Sequence, residues 1–265
     1  MASGIITLTT DFGLDDHYAG VMKGVIAGIH PAANIIDITH SVDCYSVAKA
    51  AFVVAQLHAF YPPETVHVVV VDPGVGGGRR PLLVEAAAQF FVAPDNGVLS
   101  QVYERAQHQV RHIDTERWAL KPTSRTFHGR DIFAPVAAWL AAGTAAADFG
   151  PLIDKYLRLD RTTPVFVEPG RWRGKVLNID RFGNIVTSFP AELLDESPAD
   201  FRLLAGHLEV LATASTYAKA PPGIAFVIAG SGGFLELSVN QDSAANAAGV
   251  NIGDSVELVF SQPNG

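Results

Sequence analysis

Hydrophobic and polar positions in the first 142 residues follow two different periodicities. Short aliphatic and β-branched runs predict strands, and they alternate with segments whose apolar residues recur every three or four positions, as in helices. The predicted strands are 5–9, 34–38, 66–71, 82–85 and 90–93, and the predicted helices are 18–29, 47–60 and 131–142. The Val-rich run at 66–71 is typical of a strand buried on both faces. This order predicts an α/β domain with a mostly parallel central sheet covered by helices.

The pattern changes near residue 160. Beyond that point the helical periodicity is weak, and short apolar runs are separated by turn residues at 174–179, 184–188, 207–212, 225–229, 234–239 and 255–260. Such spacing predicts a smaller all-β, barrel-like domain with antiparallel strands. We therefore divide the chain into an α/β domain at 1–160, a linker at 161–171 and a β domain at 172–265.

Composition narrows the class of protein. The 265 residues are 48% hydrophobic and 17% charged, which supplies enough apolar material for a core in each domain. A formal net charge of −8 argues against nucleic acid as a partner, because phosphate binding needs clustered Lys and Arg. The single cysteine, Cys44, fits a reducing compartment. With no signal-peptide pattern and no long apolar run, we expect a cytoplasmic protein that does not bind membranes.

Polar residues follow several of the predicted strands closely. Asp11, His40, Asp72 and Asp95 each come just after a strand, and ligands of parallel sheets bind beyond the carboxyl ends of the strands. After Asp72 come a glycine cluster and Arg79, a pattern that is neither a P-loop nor a dinucleotide fingerprint. His128 precedes a predicted helix beside a glycine, where an imidazole is accessible for proton transfer. These residues predict a catalytic site in the first domain.

The second domain carries two weaker signals. Phe182 lies at the tip of a predicted turn that begins at Asp180 and ends at Asn184, where an aromatic ring can stack on a flat ligand. The glycines around Ser231 precede a strand and allow close approach to the backbone. Either stretch can also be a simple hairpin turn.

Two further function classes stay open on the residues alone. The carboxylates and imidazoles of the first domain include possible metal ligands, although no H-E-x-x-H or similarly tight pair is present. The candidate ligands are Asp11, Asp37, His40, Asp72, Asp95 and His128. They leave open a metal-dependent hydrolase acting on a nucleotide-like substrate. A nucleoside-binding protein without turnover is the other alternative.

Seven motifs, spread in order along nearly the whole chain, resemble those of the S-adenosylmethionine hydroxide adenosyltransferase family, which is related to the fluorinase and chlorinase enzymes. They are Thr-Asp-Phe-Gly at 10–13, Ile-Thr-His-Ser at 38–41, Val-Asp-Pro-Gly-Val-Gly at 71–76, Ala-Pro-Asp-Asn-Gly at 93–97, Phe-His-Gly-Arg-Asp at 127–131, Asp-Arg-Phe-Gly-Asn at 180–184 and the stretch 231–240. The resemblance implies hydrolysis of S-adenosyl-L-methionine to adenosine and methionine without a cofactor or metal. It also implies a homotrimer with active sites between subunits.

The resemblance assigns a role to individual positions. Asp72, Arg79 and His128 match the Asp-Arg-His set that positions and activates water, and Asp11 matches the aspartate that binds the ribose hydroxyls. The remaining expected substrate-binding residues are Asp16, Tyr45, Asp180, Phe182, Asn184, Ser231, Glu236 and Val239. Fluorinase-like enzymes carry a serine at Gly129, a tyrosine at Asp72 and a long insertion before the strand at 90–93. These departures favour water over halide as the nucleophile.

Overall fold

A computed structural model of the chain describes residues 3–195 and 201–260. The chain divides into two compact units, Met1–Leu159 and Asp160–Gly265. The first is an α/β unit with a mixed, mostly parallel sheet, and the second is an antiparallel, nearly closed barrel-like sheet, which confirms the predicted fold class. Among the described residues, no helix has the length and apolar character needed to cross a membrane.

The first unit contains six strands and five α-helices. The strands are β1 (Ile5–Thr10), β2 (Asn34–Thr39), β3 (Val66–Val70), β4 (Pro81–Ala86), β5 (Gln89–Pro94) and β6 (His108–His112). The helices are α1 (Tyr18–Ile29), α2 (Val47–Ala55), α3 (Ser100–Arg105), α4 (Thr115–Trp118) and α5 (Ala134–Ala141), the last preceded by a π-helical turn at Gly129–Phe133.

The six strands form one sheet in the order β2-β1-β3-β5-β4-β6, with β2, β1, β3 and β5 parallel and β4 and β6 antiparallel to their neighbours. The Val-rich strand β3 is buried on both faces, as its composition predicts. Val66, Val68 and Val70 pack into a core with α1 and α5, whereas Val69 and Val71 pack into a second core with α2 and α3. Strand residues alternate between faces, so a helical layer on each side needs an uninterrupted apolar run.

The parallel arrangement brings four polar residues to one edge of the sheet. Because β1, β2, β3 and β5 run in the same direction, Asp11, His40, Asp72 and Asp95 all follow strand ends on that edge. Strand β4 pairs antiparallel with β5, with Pro81 opposite Pro94, so the glycine-rich segment 72–80 also runs along this edge. This is the edge where α/β sheets bind ligands.

The predicted helix at 47–60 is too long, since the structure ends it at Ala55. Two side chains compete for the carbonyl oxygen of Ala55, with His58 Nδ1 at 3.1 Å and Arg105 Nη1 at 2.6 Å. The following residues make i→i+3 backbone bonds instead, such as Leu57 N to Val54 O. The early end of α2 is therefore a tertiary effect that the local apolar run does not predict.

The described part of the second unit contains eight strands, all paired antiparallel. They are β7 (Val165–Glu168), β8 (Arg171–Ile179), β9 (Ile185–Pro190), β10 (Phe201–Ala205), β11 (Leu208–Val210), β12 (Ala225–Ala229), β13 (Phe234–Val239) and β14 (Ser255–Phe260). Two short helices, α6 (Glu192–Asp195) and α7 (Ala244–Ala248), join them. The sheet order is β11-β10-β14-β8-β9-β13-β12, and β7 pairs with β8, so a strand lies within the range 161–171.

The barrel-like sheet is nearly closed because its two end strands approach each other. The segment after β11 bonds to β12, with Val227 N donating to Ala212 O at 2.8 Å and Ala214 N donating to Val227 O at 3.1 Å. A core built from side chains such as Phe189, Leu203 and Leu258 fills the interior. Near-closure satisfies the backbone groups that an open sheet would leave exposed at its edges.

Candidate functional site

A cavity of about 530 Å³ opens at the carboxyl edge of the first sheet. Asp11, Asp72 and His128 all line it. The aromatic rings of Phe12, Tyr18 and Phe127 form a connected apolar wall, with ring centroids 5.1–5.9 Å apart. The size and the mixture of apolar surface with a few polar groups suit a small-molecule site.

One hydrogen-bonded set joins Asp72, Arg79 and His128. Its first and last members are 56 positions apart along the chain. Arg79 Nε donates to both carboxylate oxygens of Asp72 at 3.0 Å, and Nη2 also donates to Oδ2. The same Nη2 lies 2.7 Å from Nδ1 of His128. The Arg79 side chain is only 9% exposed, does not line the cavity and packs over the Phe133 ring. Arg79 therefore holds the other two side chains from behind.

The contact with Arg79 determines how the His128 ring is protonated. A guanidinium can only donate, so Nδ1 accepts and the proton of the neutral ring is on Nε2. Burial lowers the pKa of His128, and the positive charge of Arg79 lowers it further, against opposing effects of Asp72, Asp131 and a backbone hydrogen bond with Ser124. His128 is therefore neutral at pH 7, with its Nδ1 lone pair occupied.

The glycine-rich loop sets the position of Arg79. Gly76 adopts a φ of +75°, and a Cβ atom there would lie 2.1 Å from the carbonyl oxygen of Arg125. The loop can therefore pack against the segment that leads to His128 only because this position has no side chain. That segment is also anchored by Asp131, whose carboxylate accepts the Ser124 N–H at 2.8 Å instead of capping a helix.

Asp11 is anchored by the backbone of Tyr45. The Tyr45 N–H donates to Asp11 Oδ2 at 2.9 Å, and Tyr45 adopts a φ of +67° while its side chain remains largely exposed. Asp11 and Tyr45 both line the cavity, as the resemblance implies for residues that contact the substrate. Asp16 lies in the exposed segment before α1 and is not among the lining residues.

A second cavity, of about 590 Å³, belongs to the β unit. Its wall includes the predicted turn, in which Asp180 Oδ1 accepts from the N–H groups of Phe182 and Asn184, both at 2.9 Å. Asp180 Oδ2 accepts from the Asn184 amide at 2.8 Å. The carboxylate thus organises the turn and leaves the Phe182 ring 78% exposed at the cavity.

Glu236 and Val239 lie on strand β13 at this cavity, but only Val239 lines it. Glu236 Oε2 accepts from the Tyr217 hydroxyl at 2.8 Å, and the Tyr217 ring lines the cavity. Burial raises the pKa of Glu236, and the nearby Asp180 charge raises it further, while the hydrogen bond from Tyr217 opposes both. Ser231 lies in the exposed turn between β12 and β13, outside the lining residues.

The carboxylates among the six possible metal ligands are engaged by other protein groups. Asp37 is paired with Lys23, and Asp95 accepts from Arg80 and from the Leu157 N–H. Asp72 is paired with Arg79. Within residues 3–195 and 201–260, no cluster of three His, Cys, Asp or Glu side chains is arranged to hold a metal ion.

Several lining residues were not singled out in the sequence. In the first unit they include Cys44, Ser124, Thr126 and Arg130, and in the second Tyr217, Gln241, Asp242 and Ser243. Tyr217 had a usable signal, since it is an aromatic residue in a stretch of small and polar ones, the same pattern that singled out Phe182. The others are ordinary surface residue types, and only the folded chain brings them to the cavities.

Comparison with known proteins covers both units. Residues 6–150 match the SAM hydroxide adenosyltransferase N-terminal domain, and residues 174–257 match the C-terminal domain of the same family. An (R)-S-adenosyl-L-methionine hydrolase from Salinispora arenicola is 37% identical over 256 residues, covering 96% of this chain and 97% of that protein. A fluorinase from Actinoplanes sp. is 26% identical over 288 residues, covering 96% and 97%.

Solved structures agree in fold. The crystal structure of an uncharacterized conserved protein from Thermotoga maritima superposes with a TM-score of 0.88 at 39% identity, covering 96% of this chain and 99% of that one. The family models together match well over half of the chain, and the hydrolase relatives align along nearly its full length. The chain belongs to the SAM hydroxide adenosyltransferase family.

Proposed function

We propose that this protein hydrolyses S-adenosyl-L-methionine at C5′, giving adenosine and L-methionine. The observation that carries the proposal is the Asp72–Arg79–His128 set, whose Asp72 and His128 line a nucleoside-sized cavity together with Asp11. The relatives named (R)-S-adenosyl-L-methionine hydrolase support the same reaction. The proposed compartment is the cytoplasm, in keeping with a single cysteine.

The reaction is an in-line displacement. A water oxygen forms the new bond to C5′ while the C5′–S bond breaks, and its electron pair leaves with sulfur as the neutral thioether of methionine. Because a sulfonium is a good leaving group, the reaction needs neither a general acid nor a metal at sulfur. The difficulty is to hold a weak nucleophile in line, and correct orientation can supply roughly 7–11 kcal/mol at best.

The geometry divides the work on the water between Asp72 and His128. The Nδ1 lone pair of His128 is occupied by Arg79, so His128 can orient the water but cannot take its proton without breaking that contact. Asp72 accepts from Arg79 and still has lone pairs free on a cavity wall. The oxygen becomes strongly acidic once it is bonded to carbon, so a carboxylate is basic enough to take the proton. We assign that role to Asp72.

The rest of the substrate is divided between the two cavities. Asp11 binds the ribose hydroxyls, and Phe182, Asn184 and Val239 contact the nucleoside. Tyr45 and Asp16 contact the substrate in the first unit, and Ser231 contacts it in the second. Asp180 acts by holding the turn that carries Phe182, and Glu236 acts by holding the Tyr217 hydroxyl. We propose a homotrimer in which one subunit supplies the first cavity and its neighbour the second. Exposed large side chains at both cavities, including Tyr45 and Phe182, support this, since such groups mark interaction surfaces.

Isotope labelling tests the reaction directly. The protein is incubated with S-adenosyl-L-methionine in ¹⁸O-water, and the products are analysed by mass spectrometry. We expect adenosine with ¹⁸O at the 5′ oxygen and unlabelled methionine in equal amounts. Asp72→Asn is expected to lower kcat about 10²–10⁴-fold, the usual contribution of a positioned proton acceptor. An Asp43→Asn variant, which alters an exposed carboxylate paired with Lys49, is the matched control.

Other outcomes identify the alternatives. Loss of activity after chelation, with recovery on adding a divalent metal, would indicate a metal-dependent hydrolase. Adenosine binding without methionine release would indicate a binding protein. Formation of 5′-halo-adenosine in chloride or fluoride buffer, in place of labelled adenosine, would contradict the choice of water as the nucleophile.

A further inference from the structure

A buried histidine lies behind the wall that carries Asp11, and the reaction above makes no use of it. His40 is 3% exposed at the end of β2. Its Nδ1 lies 2.9 Å from Thr10 Oγ1, and its Nε2 lies 3.0 Å from Asp37 Oδ1. Asp37 Oδ2 in turn accepts from Lys23 at 2.5 Å. Four side chains therefore form a chain from the surface to the end of β1.

The Asp37 carboxylate and the Thr10 hydroxyl hold the His40 ring from two sides. Burial alone would raise the pKa of Asp37, but the contacts with Lys23 and His40 outweigh it and lower that pKa. His40 Nε2 lies 3.0 Å from Asp37 Oδ1, a charge contact without hydrogen-bond geometry. Nδ1 is hydrogen-bonded to Thr10 Oγ1, and the tautomer of the ring sets which of the two atoms donates.

Thr10 passes this constraint to the loop that contains Asp11. Its oxygen accepts from the Phe12 N–H at 3.2 Å and lies 2.9 Å from His40 Nδ1, so two contacts hold the hydroxyl group. Two backbone bonds tie the same segments together, from Gly13 N to His40 O at 2.7 Å and from Val42 N to Thr10 O at 3.3 Å. Asp11 lies between the two residues that this hydroxyl connects.

We propose that Thr10, His40 and Asp37 are positioning residues that hold the Asp11 carboxylate in the orientation needed to bind a vicinal diol. This rests on the proposed function, in which Asp11 binds the ribose hydroxyls. Asp11 Oδ2 is taken by the Tyr45 N–H, so the carboxylate has little freedom to compensate if its backbone rotates. Loss of the Thr10 hydroxyl is thus expected to weaken diol recognition and to leave the water-activating residues unaffected.

The test compares two ligands and two isosteric variants. Binding of adenosine and of 2′,3′-dideoxyadenosine is measured by calorimetry for the wild type, Thr10→Val and Thr10→Ser. We expect Thr10→Val to weaken adenosine binding about tenfold, the usual effect of losing one well-placed hydrogen bond. Binding of the dideoxy ligand should change less than about twofold, and Thr10→Ser, which keeps the hydroxyl, should resemble the wild type. In turnover, KM should rise with kcat largely unchanged.

A second variant covers the case in which Thr10→Val does not fold. Asp37→Ala removes a side chain that is 38% exposed, so it should be tolerated, and it should show the same selective loss of adenosine at smaller magnitude. Asp43→Ala, which also removes an Asp–Lys ion pair, should leave both ligands unaffected. If the wild type is active but the Thr10→Val and Asp37→Ala variants bind both ligands equally more weakly, or bind both normally, this inference is wrong and the proposed function still stands. A wild type that neither binds adenosine nor releases methionine would overturn the proposed function, and this inference with it.

Discussion

His128 is a neutral hydrogen-bonding residue in this structure, and that state is coupled to Arg79. Protonation would place a hydrogen on Nδ1, where it would face a guanidinium nitrogen 2.7 Å away. Two cations at that distance repel each other, in agreement with the lowered pKa of His128. The protonation state of this single residue therefore controls whether the Asp72–Arg79–His128 set is intact.

The pH dependence of activity tests this state. The pKa of His128 lies below its ordinary value of 6.5. We therefore expect kcat/KM to be level near pH 7 and to fall as the pH drops through the pKa of His128, where the ring becomes protonated. His128→Asn can still accept from Arg79 but does not titrate, so it should lack this fall, with a plateau about tenfold lower for one altered hydrogen bond. Measurement of kcat/KM from pH 5 to 8 checks both. If His128→Asn lost as much activity as Asp72→Asn, His128 would be the base.

Gly129 shows how packing reinforces the choice of nucleophile. A Cβ atom at this position would lie 3.1 Å from Met22 Sδ and 3.2 Å from the Phe127 ring. A serine, as in fluorinase-like enzymes, would require both neighbours to shift. Such a shift is a few tenths of an ångström, so the packing of Met22 and Phe127 is matched to a glycine at this position.

At the scale of elements, the loop between β3 and β4 carries two members of the Asp72–Arg79–His128 set. It begins with Asp72, ends with Arg79 and packs through Gly76 against the carbonyl oxygen of Arg125. This contact gives Gly76 a packing role in a loop whose pattern is not that of a P-loop. Gly76 allows the loop to lie against another backbone segment.

Two alanine substitutions test whether the glycines of this loop are needed for close packing or only for chain flexibility. Gly76→Ala combines a φ of +75° with a Cβ only 2.1 Å from Arg125 O, and it should cost about 2–4 kcal/mol of unfolding free energy. Gly78→Ala, in the same loop, meets no atom within 4 Å and should lie within about 0.5 kcal/mol of the wild type. Thermal unfolding and turnover of both variants check the prediction. Similar behaviour of the two would mean that the loop does not pack as described.

At the scale of the whole molecule, the two cavities belong to separate units, and each lacks part of what the proposed substrate needs. The first carries the Asp72–Arg79–His128 set and Asp11, whereas the second carries the exposed ring of Phe182. Closed oligomers repeat the same interface at every subunit contact. If each active site is shared between two subunits, a chain with a defective first cavity and a chain with a defective second cavity should therefore complement each other.

Mixed oligomers test this arrangement. Asp72→Asn and Phe182→Ala chains are each expected to have little activity alone. When they are unfolded together and refolded as an equal mixture, about a quarter of the shared sites should pair two intact cavities and regain activity. Sedimentation should give the mass of a trimer. No recovery in mixed trimers would show that each site comes from one chain.

Local patterns in the sequence were sufficient for the order of elements and for much of the candidate site. Strand and helix periodicity depends on near neighbours, so β1, α1 and β3 were predicted within a residue or two. The position of Asp11 and Asp72 at strand ends follows from the parallel order of β1 and β3, and the motifs around Phe182 and His128 are contiguous. These features require no knowledge of distant contacts.

The tertiary structure decided what depends on residues far apart in the chain. Arg79 meets His128 across 49 positions, and this contact, not the motif, determines which nitrogen of His128 carries the proton. Arg105 donates to the carbonyl oxygen of Ala55 at the end of α2, and the Tyr217 hydroxyl donates to Glu236 at the second cavity. Hydrogen bonds are directional and act over about 3 Å, so partners, protonation states and cavity walls follow only from the folded arrangement.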